Sequence, residues 1–219
     1  MKSPYSQADK QLAKLKKSIS AEFHNTANLL NFDELNVADT KQTTKVLYDR
    51  LKSQSKQILE RIAKSAYHDA YAETQSKGER EDEDKEKDFS GIALIAALFK
   101  MYHPLTRYVY KSEAHRKQER LMEGILSATG QQGIRQALDR AARLWFEQNR
   151  QYADFAVDEA RLKAFKDAGV KKVQWRAEVD NNTCDECKKL NGEIFTISNV
   201  PDIPRHHHCR CYLTPVLDS

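Results

Sequence analysis

All four cysteines of the 219-residue chain fall between Cys184 and Cys211, together with three of its seven histidines. The first pair is Cys184-Asp-Glu-Cys187. The second group is His206-His-His-Cys209-Arg-Cys211, reached through a proline-bracketed loop. Two short clusters of nitrogen and sulfur donors are what tetrahedral zinc requires, at about 2.3 Å for sulfur and about 2.0–2.1 Å for nitrogen. Cysteines crowded into the last sixth of a chain would staple little else as disulfides, so metal ligation is the predicted use. Five candidates compete for about four positions: Cys184, Cys187, His206, Cys209 and Cys211. Four filled positions leave no open one, so the expected site is structural, with one Zn2+ per chain.

The periodicity changes just upstream of this cluster. From Lys171 to Asp180, Val173, Trp175, Ala177 and Val179 alternate with Lys172, Gln174, Arg176 and Glu178. That pattern predicts a strand with one buried face. A short helix over Cys187–Leu190, capped by Thr183 or Asp185, is expected next. An Asn191-Gly192 turn, a strand over Glu193–Ile197 and a strand over Cys209–Val216 complete the module. Side chains two apart share a face of an extended strand, so Cys209 and Cys211 should point the same way. A module this small buries little apolar surface, and a bound metal supplies the missing folding free energy.

The rest of the chain reads as helices. Leu12, Leu15, Ile19 and Phe23 recur at three- and four-residue steps within a helix over 1–30. A second helix starts near Asp39-Thr40 and runs to about Ser76, with Val46, Leu47, Leu51, Ile58, Ile62 and Tyr67 on its apolar side. Residues 77–88 (KGEREDEDKEKD) contain no apolar side chain and read as a solvated connection. Gly91–Met101 is apolar on nearly every side and ends at Pro104, near Tyr102, Tyr108 and Tyr110. Residues 111–168 are predicted mostly helical, with a turn at Gly130-Gln-Gln-Gly133. A helix over Ile134–Asn149 buries Ile134, Leu138, Ala141, Leu144 and Trp145, and a separate one over Tyr152–Ala168 stops at Gly169. The expected class is mostly α: a helical body over 1–169, followed by a small α+β zinc-stabilised module over 170–219.

Charge excludes little. The net charge is +4, and Lys171–Ser219 carries seven basic and seven acidic residues, so the module has no basic excess. Arg107–Arg150 has nine basic against five acidic residues, a modest candidate footprint for nucleic acid. Residues 1–20 lack an apolar signal core. The longest apolar run, Gly91–Phe99, is far below the roughly 20 residues that span a bilayer. A cytoplasmic origin and no membrane partner are therefore expected.

The module's residues carry a wider resemblance. Val173-Gln-Trp175, Asp180, Thr183-Cys184, Cys187, Leu190 and Gly192, followed by Pro204, His206 and Cys209-Arg210-Cys211, are together similar to the C-terminal domain of the phage head morphogenesis family, also called phage Mu protein F-like. The match extends over about 155–216. It implies a non-enzymatic minor head (capsid) protein of a tailed phage or prophage. Such proteins assemble with portal, capsid or scaffold proteins in the host cytoplasm and end in the capsid interior, and some members bind DNA. Two other functions fit the ligand pattern alone: a metal-dependent nuclease and a zinc-stabilised nucleic-acid-binding module. The nuclease reading lacks an open coordination position and a well-placed general base.

Overall fold

The computed structural model describes residues 3–75, 112–178, 183–203 and 209–217. The expected connection at 77–88, the apolar helix at Gly91–Met101 with its flanking tyrosines, and the loop from Pro204 through His206 to His208 lie outside the described residues. The described chain is mostly helical: α1 (Ser6–Leu29), α2 (Val37–Ala72), α3 (Ser112–Leu126), α4 (Gly130–Asp167) and the short α5 (Asp185–Leu190). Three strands follow α4: β1 (Lys172–Arg176), β2 (Ile194–Thr196) and β3 (Tyr212–Val216). Among the described residues, no helix is long and apolar enough to cross a membrane.

The chain forms two compact units, and α1, α2 and α4 each contribute residues to both. The larger part of α1 and α2, with α3 and the first half of α4, builds a helical unit from described residues within 11–58 and 99–150. Leu12, Leu15, Ile19 and Phe23 are all buried there, as their spacing predicts. On α2, Leu47, Leu51, Ile62 and Tyr67 are buried as expected. Val46 is exposed and Ile58 half-buried, whereas Thr44, Tyr48 and Ser55 are inside. The buried hydroxyls of Thr44 and Ser55 are hydrogen-bonded. Thr44 donates to the Thr40 carbonyl at 2.8 Å, and Ser55 accepts the Trp145 indole N–H at 3.1 Å. Tyr48 meets the Trp145 ring edge-on at 5.4 Å.

The other unit takes described residues within 1–10, 59–98 and 151–219. Its helical side is the second half of α4, where Ala153, Ala156, Ala160 and Ala164 are buried among Val157 and Phe165. Small side chains at this spacing let neighbouring elements approach closely. Gly169 ends α4 at φ +74°, the left-handed conformation that glycine adopts without a Cβ penalty. The sheet has the order β2-β1-β3 and is antiparallel throughout. Val173 faces Phe195 on one side and Pro215 on the other, and Trp175 faces Leu213. Val173 and Trp175 are fully buried, as the alternation requires. Pro215 has no N–H to donate and sits on an edge strand, where that loss is tolerated.

Arg161 ties this unit together. Its guanidinium is buried and bonds Glu73 through both forks at 2.9 and 2.8 Å. It also donates to the Leu213 carbonyl on β3 at 2.9 Å and lies over the Phe165 ring. One cation therefore links the end of α2, the end of α4 and the sheet.

Candidate metal centre

Cys187 is brought in by α5. The cap of that helix is Cys184, with extended backbone (φ −69°, ψ 159°), whose sulfur accepts from the Cys187 N–H at 3.4 Å. Neither Thr183 nor Asp185 fills that role. Thr183 instead donates its hydroxyl to the Glu178 carbonyl, and Asp185 is already inside the first turn. After α5 the chain reverses at Gly192, which has φ +91°. The reversal is anchored on β1, where the Gly192 N–H donates to the Trp175 carbonyl at 2.8 Å. The Asn191 side chain accepts from the Ala177 N–H at 3.0 Å. The turn thus fixes the end of α5 relative to the sheet.

Cys209 and Cys211 arrive just before β3, and both are buried. Their sulfurs and that of Cys187 all lie within 4.8 Å of one another. The Cys187 and Cys209 sulfurs are 3.7 Å apart. Two thiolates on one tetrahedral zinc, each at about 2.3 Å, would be about 3.8 Å apart. None of the three is in a disulfide, and their donor set and spacing fit a metal ion. Of the five sequence candidates, then, three come together. Cys184 is half-buried at the cap beside them, and His206 lies outside the described residues.

Burial pushes the Cys187 thiol up to about 12. Hydrogen bonding to Cys209, followed by burial, raises Cys211 still further. Without an ion, Cys187 and Cys211 hold their protons at neutral pH, because burial leaves a thiolate there poorly solvated. A divalent metal supplies a countercharge and displaces the protons.

Behind the thiols lies a polar layer that spacing alone does not reveal. Tyr5 is fully buried. Its hydroxyl oxygen is 2.6 Å from the Cys211 carbonyl oxygen and 2.7 Å from Asp158 Oδ1. The hydroxyl has one proton for these two acceptors. A neutral Asp158 resolves the shortage, donating to Tyr5 while Tyr5 donates to Cys211. Burial holds the Asp158 carboxyl well above its ordinary range, consistent with that arrangement. Arg210 packs over the Tyr5 ring at 4.7 Å and bonds Asp9 at 2.9 and 3.2 Å. Asp154 is 3.5 Å from the same guanidinium. The available sequence signal was Asp154 and Asp158, two carboxylates four residues apart on an alanine-rich helix face.

Comparison with known proteins adds sequence kinship to this geometry. An uncharacterized protein of Haemophilus influenzae is 36% identical over 58 residues, covering 25% of this chain and 13% of that protein. The chain thus spans only a small part of that relative's length. No solved structure matches the chain. The family described as Phage Mu protein F like protein matches residues 114–214, a stretch that takes in α4, β1, β2, the start of β3 and all four cysteines. Over residues 114–214, a little under half of its length, the chain is similar to the Phage Mu protein F like family.

Proposed function

We propose that the protein is a minor head protein of a tailed phage or prophage, acting without enzymatic chemistry in head morphogenesis. The family match over 114–214 carries this reading. The helical body over 1–169 makes contacts with portal and capsid or scaffold proteins, and residues 170–219 form a zinc-stabilised module. Assembly takes place in the host cytoplasm, and the protein then resides inside the capsid.

The thiol cluster supports a structural ion. Cys187, Cys209 and Cys211 supply three sulfur donors. Cys184 is the preferred fourth ligand over His206, because its sulfur already accepts a backbone N–H, an interaction that favours the thiolate. A filled, thiolate-rich shell suits zinc and leaves no position for a substrate. When bound, the ion would cross-link α5 to the segment before β3.

The test is co-purification. A tagged chain expressed in cells producing the cognate phage should bring down portal and capsid proteins and appear in purified virions. Absence from virions, with no portal or capsid protein recovered, would overturn the head-protein reading. Elemental analysis of the same preparation should find about one zinc per chain.

A further inference from the structure

Two of the three clustered thiols flank Arg210, and Arg210 is held from the opposite end of the sequence. Asp9, in the first turns of α1, takes the guanidinium on both oxygens. The Tyr5 ring lies beneath it, and the Tyr5 hydroxyl bonds the carbonyl of the next residue, Cys211. Asp158 on α4 holds that hydroxyl in turn. The segment Cys209-Arg210-Cys211 is therefore gripped on its outer side, by its one outward side chain, and on its backbone. Cys209 and Cys211 are buried while Arg210 between them is half-buried. Holding Arg210 therefore restrains the short stretch of backbone that carries both sulfurs.

We propose that Tyr5, Asp9 and Arg210 form a clasp that positions Cys209 and Cys211 for the metal ion, so that metal binding and docking of the start of α1 are thermodynamically linked. The inference rests on the reading that the thiols hold a metal. None of the three residues is a ligand. They are positioning residues, and groups that orient metal ligands from behind are worth about 10–100-fold in metal affinity. Linkage is reciprocal: whatever factor the clasp adds to metal affinity, the metal returns to the docking equilibrium.

The full-length protein serves for the test, with zinc as the probe and a chromophoric chelator as competitor. Tyr5→Phe should lower zinc affinity about tenfold. Asp9 is exposed, so Asp9→Asn should lower the unfolding midpoint of the metal-free protein only slightly while weakening zinc binding several-fold. Hydrogen exchange gives a readout on the unsubstituted chain. Amides of residues 6–10 should exchange faster after zinc is stripped, and recover when it is restored, while those of residues 15–25 stay unchanged. If the unsubstituted protein takes up no zinc, the metal reading itself fails. If it takes up zinc, yet both variants bind within twofold of it and exchange at residues 6–10 ignores the metal, the clasp is overturned and the metal reading stands.

Discussion

At Cys187 a proton and a metal ion compete for one sulfur. Because burial pushes that thiol up to about 12, and Cys211 is raised as well, zinc has to displace protons throughout the neutral range. Apparent zinc affinity should therefore climb as pH rises from 6.5 to 8, by about tenfold per unit for each proton displaced. Chelator competition at a series of pH values reads this slope directly, and a flat profile would contradict it. Cys187→Ser should abolish stoichiometric zinc. Asp158 predicts the opposite trend for folding. Its carboxyl is raised in the folded chain, by burial first, against about 3.9 when unfolded. Between those two values the folded state keeps a proton that the unfolded state releases, so stability falls as pH rises through that window. Asp158→Asn keeps a donor toward Tyr5 and should remove this part of the slope, measurable from urea midpoints at successive pH values.

Among the elements, α4 departs most from its sequence pattern. Arg150 and Gln151 fall between the two expected helices, yet α4 runs unbroken from Gly130 to Asp167. Trp145, Asn149, Tyr152, Ala153 and Ala156 are all buried at helical spacing, so the stripe crosses the polar stretch. Asn149 turns its amide back to the Trp145 carbonyl at 2.8 Å, hiding a polar group inside the helix. Gln151→Pro should then cost about 3 kcal/mol or more, which a shift in thermal midpoint would show. The Gly130-Gln-Gln-Gly133 turn proves to be the helix start, with Gly130 at φ +70°. Leu144, expected inside, is exposed. The end signals were legible. Gly169→Ala, forcing a Cβ into φ +74°, should destabilise by about 1 kcal/mol.

For the molecule as a whole, the compact unit that holds the sheet also recruits the first residues of α1 and the ends of α2 and α4. Arg161 shows why these pieces depend on one another. Its buried charge is met by Glu73 from beyond α2 and by a carbonyl of β3. Glu73→Ala would strip the cation of this ion pair and leave it the Leu213 carbonyl and the Phe165 ring. Breaking a fully buried pair costs about 3–5 kcal/mol. Glu73 is partly solvated, and water screens the loss, so about 2 kcal/mol is expected in a denaturant titration.

Local pattern carried what local physics controls. The stripe of α1, the alternation of β1, the glycine stops at Gly169 and Gly192, and the mostly helical class with its small sheet follow from side-chain spacing and backbone sterics within a few residues. So did the choice of cysteines as the chemically informative residues, and the family resemblance they carry. Tertiary structure alone decided which sulfurs meet and what stands behind them. Cys187 and Cys209 are 22 residues apart, Tyr5 and Asp158 are 153 apart, and Tyr5 and Cys211 are 206 apart. No periodicity encodes such pairings, because they arise only when distant helix ends pack and a buried tyrosine must find partners for its hydroxyl.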